Sequence, residues 1–184
     1  MDVHTAIRTR RDIEGFAPET PPREVIERII EAATWAPNHR LTEPWRFAVL
    51  AGAGRDAMAD GVQAWLESTD ATEGAIRSAR NKVLRAPVIL IVSQVNRPED
   101  PVRDLEDYAA CMCAIENLLL EAHAEGLAVH FSTDRTMLGD GPKAYLGLKA
   151  EDRLVAYLNI GYPKPDAEPK VATRQPAVVR WDWS

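Results

Sequence analysis

The side chains that could take part in chemistry cluster between two prolines. Pro37 and Pro44 enclose five polar residues: Asn38, His39, Arg40, Thr42 and Glu43. Proline has no backbone N–H and disfavours helical dihedrals in the residue before it, so a helix arriving from Val25 should end here and the chain should leave extended. A loop fixed in this way suits a ligand site, and a solvated turn is the alternative.

A second group of candidates follows the first helix, which is predicted to run from Asp2 to about Thr9. Arg8, Arg10 and Arg11 fall within four residues at its end. Clustered arginines are usually solvated, but their planar guanidinium groups also bind phosphate through paired hydrogen bonds. Both alternatives remain open from these residues alone.

The other reactive residue types show no pattern of a metal or thiol site. Cys111 and Cys113 lie two apart on a predicted helix, so their side chains diverge and cannot bridge, and we expect buried thiols. No C-x-x-C occurs and the 4 histidines lack zinc-site spacing, so we predict no metal.

A glycine motif lies further along the chain. Gly52-Ala-Gly-Arg-Asp-Ala57 matches the dinucleotide fingerprint G-x-G-x-x-A, after a predicted strand and before a predicted helix. Two helical stretches follow before the next strand, which a regular βαβ unit would not need. We therefore favour a plain glycine turn over a Rossmann dehydrogenase.

The composition is that of one globular domain. With 184 residues, 46% hydrophobic and 27% charged, we predict a single domain over 1–184. The net charge of −6, with acids and bases interspersed, argues against a nucleic-acid partner. No apolar run approaches the ~18 residues of a membrane span, and the N-terminus lacks a basic signal region, so we expect a cytoplasmic protein without a membrane partner.

Hydrophobic periodicity predicts the elements that position these residues. The helix before the first proline carries an apolar stripe, and the run from Pro87 to Val95 should be a central strand buried on both faces. Further strands are predicted over 46–50, 127–131 and 154–160, and further helices over 56–67, 73–84, from Asp104 to Gly126 and near 142–146.

Two features predict surfaces that need a cover. The long helix from Asp104 carries no charge between Tyr108 and Ile115, so it must be covered all round, either by its own chain or by a second subunit. The segment 163–184 has no amphipathic period, yet it contains the bulky residues Val178, Val179, Trp181 and Trp183. We expect it to lie as an arm on another surface, because such residues argue against free disorder.

Three separated motifs, in order, resemble the FMN-dependent nitroreductases. The matching stretches are Arg10-Arg11-Asp12 with Phe16 (family R-R-S-x-R-x-F), Ala36-Pro37 through Pro44-Trp45-Arg46-Phe47 (A-P-S-x-x-N-x-Q-P-W-x-F), and Asn159-Ile-Gly-Tyr-Pro163 (the closing G-Y-P strand). The A-P-N-H-R form of the second motif is similar to the A-P-D-H-K of a small single-domain bacterial group, the YdjA-like subgroup.

The resemblance implies an α+β nitroreductase-like fold with a mixed central sheet wrapped by helices. It also implies an intertwined homodimer with an extended C-terminal arm, FMN at the interface, and NAD(P)H as electron donor. The activity implied is reduction of a nitroaromatic or quinone-like small-molecule acceptor by a ping-pong flavin mechanism. The alternatives are an FMN oxidoreductase of other specificity, such as a dehydrogenase or dehalogenase, and a flavin-binding dimer without turnover. No catalytic side chain is implied, because the flavin carries the chemistry.

The same resemblance implies eight cofactor-binding residues: Arg10, Arg11, Asp12, His39, Phe131, Ser132, Thr133 and Arg174. Arg10 and its neighbours would hold the FMN phosphate and ribityl chain, and Arg174 would also meet the phosphate. His39 would approach the flavin from the partner subunit, and the backbone of 131–133 would line the isoalloxazine.

Four residues depart from the family motifs. Asp12 stands where serine is usual, so its carboxylate would either repel the phosphate or orient Arg10 or Arg11. Glu14 stands where a second arginine is common, and Leu41 and Glu43 stand where asparagine and glutamine are common. Glu14, Leu41 and Glu43 are therefore not expected to make the FMN contacts of the usual arginine, asparagine and glutamine, but we expect FMN binding to survive through the phosphate clamp, stacking and backbone contacts.

Overall fold

The computed structural model describes residues 1–134, 137, 139–169 and 173–182. Within them, the helices and strands follow one another in the predicted order. They are α1 (Val3–Thr9), α2 (Arg23–Thr34), a short 3-10 turn (His39–Leu41), β1 (Trp45–Ala51), α3 (Gly52–Ser68), α4 (Glu73–Leu84), β2 (Val88–Gln94), α5 (Pro101–Ala124), β3 (Ala128–Ser132), α6 (Asp140–Tyr145) and β4 (Arg153–Gly161).

The four strands form one sheet in the order β1-β2-β4-β3, and each neighbouring pair is antiparallel. The α+β prediction is confirmed, but the sheet of the described chain is antiparallel throughout and not mixed. The reason is that β2 and β3, which α5 connects, run in the same direction but do not touch, because β4 lies between them and is antiparallel to both. As predicted, β2 has a partner on each side and is buried along its whole length.

The glycine motif lies where β1 enters α3. Gly52 has a φ of 51°, a conformation that glycine adopts without strain, and it begins the helix. Because β1 and β2 are antiparallel neighbours, the segment between them is not the parallel βαβ unit of a dinucleotide-binding fold. The glycine-turn interpretation is confirmed.

The sheet is covered by helices on both faces. On one face, Leu90 and Val92 of β2 pack with α2 and α5. On the other face, Ile89 and Ile91 pack with α3 and the end of α4. Successive residues of a strand point to opposite faces, so the continuous apolar run of β2 supplies both cores.

The corner between the prolines has the sharp geometry expected. Arg40, Leu41 and Glu43 all have positive φ, at 58°, 51° and 42°. Left-handed backbone at residues other than glycine costs on the order of 1 kcal/mol or more each, and it persists only where surrounding contacts hold it. Here the Thr42 hydroxyl donates to Asp107 at 2.6 Å, and the Glu43 N–H donates to the Asn38 side-chain oxygen at 3.0 Å.

Its own chain covers the long helix α5 on one side and leaves residues of the other side exposed. Cys111 is buried, as predicted, whereas the prediction of a buried thiol is wrong for Cys113, which is exposed. Two residues turn a helix by about 200°, so the two thiols lie on opposite faces. Val102 and Leu105 are also exposed.

The start of the C-terminal segment is hydrogen-bonded to the segment after α1. The Ala17 N–H donates to the Tyr162 carbonyl at 2.8 Å, and the Lys164 N–H donates to the Gly15 carbonyl at 3.1 Å. Residues 173–182 contain no helix or strand and are exposed throughout, whereas Trp183 lies outside the described residues. No described helix is both long and apolar enough to cross a bilayer.

Candidate functional site

The arginine cluster lies at the C-terminal end of α1. The Arg11 guanidinium donates through Nη1 to the carbonyls of Arg8 and Arg10, at 2.8 and 2.7 Å, so it satisfies acceptors that the helix end leaves open. Arg10 is three-quarters buried, and its charged neighbour is Glu116 of α5, with Nε and Oε1 3.9 Å apart. The two arginines therefore differ: Arg11 caps the helix and Arg10 faces α5.

Asp12 connects the segment after α1 to strand β3. Its Oδ1 accepts the backbone N–H of Phe131 at 2.9 Å, and its Oδ2 lies 2.8 Å from Nδ1 of His130. Burial acts to raise the pKa of Asp12, but the hydrogen bonds from His130 and Phe131, with the charges of His130 and Arg10, bring that pKa below its usual value. An ionised carboxylate only accepts hydrogen bonds, so Nδ1 of His130 carries the hydrogen.

The geometry at Asp12 changes two expectations. Its carboxylate makes its hydrogen bonds to β3 and none to the guanidinium of Arg10 or Arg11. The Phe131 N–H already donates to Asp12, so it is not available as a donor to a ligand. The charge that was expected to lie open beside a phosphate is instead shared with His130.

Two concavities meet at Arg10. The first, which we call the basic pocket, has a volume of about 160 Å³ and is lined on its polar side by Thr9, Arg10, Arg11 and His123. The second, which we call the apolar groove, has a volume of about 360 Å³ and is lined by Met112, Ile115, Leu119 and Phe131, with Arg10, Asp12 and Glu116 contributing the polar atoms. Arg10 and Leu119 line both, so the two are adjacent parts of one site.

The corner that carries His39 is attached to another part of α5. Nδ1 of His39 lies 2.8 Å from Oε2 of Glu106, and the side chain is 58% exposed. Glu106 precedes Glu116, the neighbour of Arg10, by ten residues, or about 15 Å of helix at ~1.5 Å per residue. Within one chain His39 is therefore separate from the pocket at Arg10.

The remaining predicted residues are placed as follows. Phe131 lines the apolar groove, and Ser132 follows it at the end of β3, where its hydroxyl oxygen accepts the Asp134 N–H at 3.3 Å. Thr133 is exposed. Arg174 is exposed on the C-terminal segment and makes no hydrogen bond or ion pair with the part of the chain that the structure describes.

A buried polar network at the start of α5 was missed by the sequence reasoning. Asp104 Oδ2 accepts from Arg153 Nη2 at 2.8 Å, and Asp104 Oδ1 accepts from the Gln94 amide at 2.8 Å. Asp107, whose side chain is 2% exposed, accepts from Thr42 and from Arg97 Nε at 3.1 Å. Aspartates in the first turns of a helix also gain from its dipole, a signal that the sequence did contain. The network attaches the corner to α5.

Three potential metal ligands lie close together beside the same site. The ligand atoms of Asp12, Glu14 and His130 all lie within 4.8 Å of one another. Asp12 and His130 are hydrogen-bonded to each other, and Glu14 pairs with Arg85 at 2.9 Å. These pairings already compensate the charges, so we assign no ion to them.

The structure thus brings together four of the eight predicted residues, Arg10, Arg11, Asp12 and Phe131. It adds Thr9, His123 and His130, which sequence reasoning did not select. The sequence did contain one signal for His130. An aspartate at a position where the family has serine needs a hydrogen-bond donor that compensates its charge. A histidine directly before Phe131 was a candidate for that donor.

Comparison with known proteins shows which family this chain is similar to. A model of the Nitroreductase family matches residues 7–162. The protein "Putative NAD(P)H nitroreductase YfhC" of Bacillus subtilis is 32% identical over 173 residues, covering 92% of this chain and 88% of the relative. "Putative NAD(P)H nitroreductase YdjA" of Escherichia coli K12 is 25% identical over 176 residues, covering 96% of each.

Solved structures agree with these matches. A nitroreductase-like family protein from Bacillus cereus has a TM-score of 0.83 at 29% identity, covering 96% of this chain and 92% of that chain. A protein from Desulfovibrio desulfuricans in complex with FMN has a TM-score of 0.70 at 27% identity, with the same two coverages.

Proposed function

Since the chain belongs to the nitroreductase family and resembles its YdjA-like members, we propose that it is an FMN-dependent oxidoreductase using NAD(P)H. Its acceptors would be nitroaromatic or quinone-like molecules, reduced in a ping-pong sequence. The observation that carries the proposal is the position of Arg10 between a basic pocket and an apolar groove. Relatives named as NAD(P)H nitroreductases and a neighbour in complex with FMN support it.

The chemistry of the site fits FMN, which has an anionic phosphate at one end and a flat aromatic ring system at the other. The basic pocket offers cationic groups, and the adjoining groove offers Met112, Ile115 and Leu119 of α5 as an apolar surface. The aspartate in the serine position does not oppose this fit, because its carboxylate is engaged by His130. Glu116 also lies beside Arg10, and it competes weakly at 3.9 Å.

The chain's own residues would bind and orient the cofactor. Arg10 would hold the phosphate through charge-assisted hydrogen bonds, while Arg11 fixes the helix end from which Arg10 projects. Asp12 keeps β3, and with it Phe131, against the groove. The apolar side chains of α5 exclude water from the ring. When bound, FMN supplies the redox chemistry, namely hydride acceptance from NAD(P)H and reduction of the acceptor.

We further propose that the working unit is a homodimer of single 184-residue domains, in which residues 163–184 form an arm on the partner. Three observations support this. The face of α5 with Val102, Leu105 and Cys113 is exposed in one chain, and so are residues 173–182. His39 lies beside Glu106, about 15 Å along α5 from Glu116 at the Arg10 site, which fits an approach to the flavin from a second copy.

The visible spectrum of the purified protein tests the cofactor. We expect a yellow protein with about one FMN per chain, whose absorbance bleaches when NADH or NADPH is added anaerobically and returns on addition of a nitroaromatic or quinone. A steady-state series at several acceptor concentrations should then give parallel double-reciprocal lines. If neither nucleotide reduces the bound FMN, the proposed enzymatic activity is refuted, and the alternative of a flavin-binding dimer without turnover remains.

Arg10→Ala tests the phosphate site. A charge-assisted contact to phosphate contributes about 1.5 to 3 kcal/mol, so the variant should bind FMN roughly 10- to 100-fold more weakly. The matched control is Arg77→Ala, which removes the same charge from the exposed side of α4, in the layer on the other face of the sheet. Equal losses in the two variants would remove Arg10 from the site.

Truncation after Pro169 tests the arm. This cut keeps the hydrogen bonds of residues 162–164 and the pocket lining at Pro169, and it removes the exposed residues 173–182 together with the rest of the chain after Pro169. We expect sedimentation to show a weaker dimer, together with loss of FMN on dialysis. A truncated protein that remains dimeric and yellow would contradict the proposed role of the arm.

A further inference from the structure

His123 closes the basic pocket from the last turn of α5. Its Nε2 lies 2.8 Å from Oγ1 of Thr9, so the end of α1 and the end of α5 are joined across the pocket. The pocket volume of about 160 Å³ exceeds the ~10–15 Å³ that one water needs by an order of magnitude, so it has room for a phosphate-sized group.

The hydrogen bonds around Thr9 determine which nitrogen of His123 carries hydrogen. The Thr9 hydroxyl lies 2.7 Å from the Thr5 carbonyl, which can only accept, so the single O–H hydrogen is donated there. Thr9 Oγ1 must therefore accept from His123, and Nε2 carries the hydrogen. In the neutral ring Nδ1 is left unprotonated, and it is the atom at which a further proton binds.

The charged residues that line the basic pocket, Arg10 and Arg11, are both positive. Burial lowers the pKa of His123, and the positive charges of Arg10 and Arg11 lower it further. The other lining residues carry no charge: Ile13, Leu119, Leu127, Val129 and Pro169. On α5 itself, Glu116 lies beside Arg10, and Glu125 is held by Arg28 at 2.6 Å. The pocket therefore brings cationic groups together, and a bound anion would relieve the repulsion between them.

We propose that His123 is a phosphate-binding residue of this pocket, whose ring takes up one proton from solution when a phosphate monoester binds. This rests on the proposed function, in which the phosphate is that of FMN. Nε2–H stays on Thr9, Nδ1 gains the proton, and the resulting imidazolium joins Arg10 as a second cation. No covalent bond forms or breaks, and the only atom transferred is the proton.

If His123 takes up a proton with the phosphate, the affinity for FMN must depend on pH in a way that a purely structural histidine would not produce. Phosphate binding and protonation of His123 must favour each other, so the affinity for FMN should rise as the pH falls through the range in which histidine titrates, about pH 8 to 5. The second proton of a phosphate monoester has a pKa near ~6, which also makes FMN binding pH-dependent. A variant that cannot titrate is therefore required to separate the two.

His123→Gln is that variant, because the glutamine amide can still donate to Thr9 but takes up no proton. We would titrate apo-protein with FMN, and with riboflavin as the probe without phosphate, by calorimetry in two buffers of different ionisation enthalpy at neutral pH. Wild type should take up between about half and one proton more than His123→Gln on binding FMN, with no difference for riboflavin. His4→Gln, exposed on α1, should behave as wild type.

Equal proton uptake by wild type and His123→Gln overturns the inference, and so does an equal difference with riboflavin. If neither flavin binds, the proposed function fails, and the inference is decided by NMR with inorganic phosphate as the probe. The histidine ring signal absent in His123→Gln should then shift its titration upward by about one pH unit with phosphate, equivalent to a tenfold change in affinity between the two protonation states. An unshifted titration overturns the inference independently of the flavin.

Discussion

Replacing Asp12 with serine, the residue usual in the family, tests what the carboxylate does. Asp12 accepts two hydrogen bonds from β3, one from the Phe131 N–H at 2.9 Å and one from His130 at 2.8 Å. Serine is shorter and has one oxygen, so it cannot span both donors. We expect Asp12→Ser to loosen the segment after α1, and to weaken FMN binding for that reason, although it removes a negative charge from the site.

The loss can be estimated from the two contacts. A hydrogen bond to a charged group is worth about 1.5 to 3 kcal/mol when buried, but the Asp12 side chain is 39% exposed, so water can replace part of each bond. We therefore expect about 2 kcal/mol in total. For a chain of this length that corresponds to a fall of roughly 4 to 8 °C in Tm. Asp12→Asn keeps one acceptor oxygen and should lose about half as much.

The assay is urea and thermal unfolding of wild type, Asp12→Ser, Asp12→Asn, His130→Gln and the Asp12→Ser/His130→Gln double variant, all at one protomer concentration. The double variant should lose less than the sum of the single variants, because the two residues share a hydrogen bond. Additive losses would mean that the pair is not formed.

The pH dependence supplies a second check on the same pair. The folded pKa of Asp12 lies below its usual value of 3.8, so its stabilisation is complete above about pH 4 and is lost as the pH falls through the folded pKa. The gap between wild type and Asp12→Asn should close over that acid range. The reasoning would be refuted if Asp12→Ser were as stable as wild type and bound FMN more tightly, with a gain in affinity that shrinks as salt rises. That result would mean that the Asp12 carboxylate repels the phosphate.

Two further predictions concern α5. Asp107→Asn keeps an acceptor for Thr42 but turns an amide N–H toward Arg97, so it should cost stability, and Asp107→Ala should cost more, about 3 kcal/mol by urea unfolding. Variants as stable as wild type would show that the network does not hold the corner. With a thiol reagent, Cys113 should react in dilute, monomeric protein, whereas Cys111 should react only on unfolding, because burial raises its pKa to about 12. Fast reaction of both thiols in native protein would contradict the burial of Cys111.

The sequence predicted those parts of the fold that local patterns determine. The corner was identified because proline acts on its immediate neighbours, and β2 because an unbroken apolar run of strand length needs cover on both faces. The helix bounds at Glu73–Leu84 and the stop at Gly126, which has a φ of 77°, follow from the same short-range rules. Each of these signals lies within a few residues of the feature that it predicts.

The sequence could not predict features that depend on pairing between distant residues. Asp12 and His130 are 118 positions apart, and Thr42 and Asp107 are 65 apart, so no local period joins them. The direction of each strand is also a long-range property; the mixed sheet was implied by the family resemblance alone, and the described strands form an antiparallel one. Periodicity likewise gave no reason to expect Cys113 to remain exposed.

Asp12 also shows how far a family motif transfers to a single chain. Read as a serine replaced by a repelling charge, the position argues against FMN binding. In the structure the same carboxylate is compensated by His130 and makes a contact with the Phe131 N–H, so the position holds strand β3 whatever it does for a ligand. The Arg10 side chain is left to line the pocket beside Glu116, because it is the Arg11 guanidinium that donates to the carbonyls at the helix end. If the pocket binds phosphate as we propose, its affinity should depend less on Asp12 than on Arg10, Glu116 and the protonation state of His123.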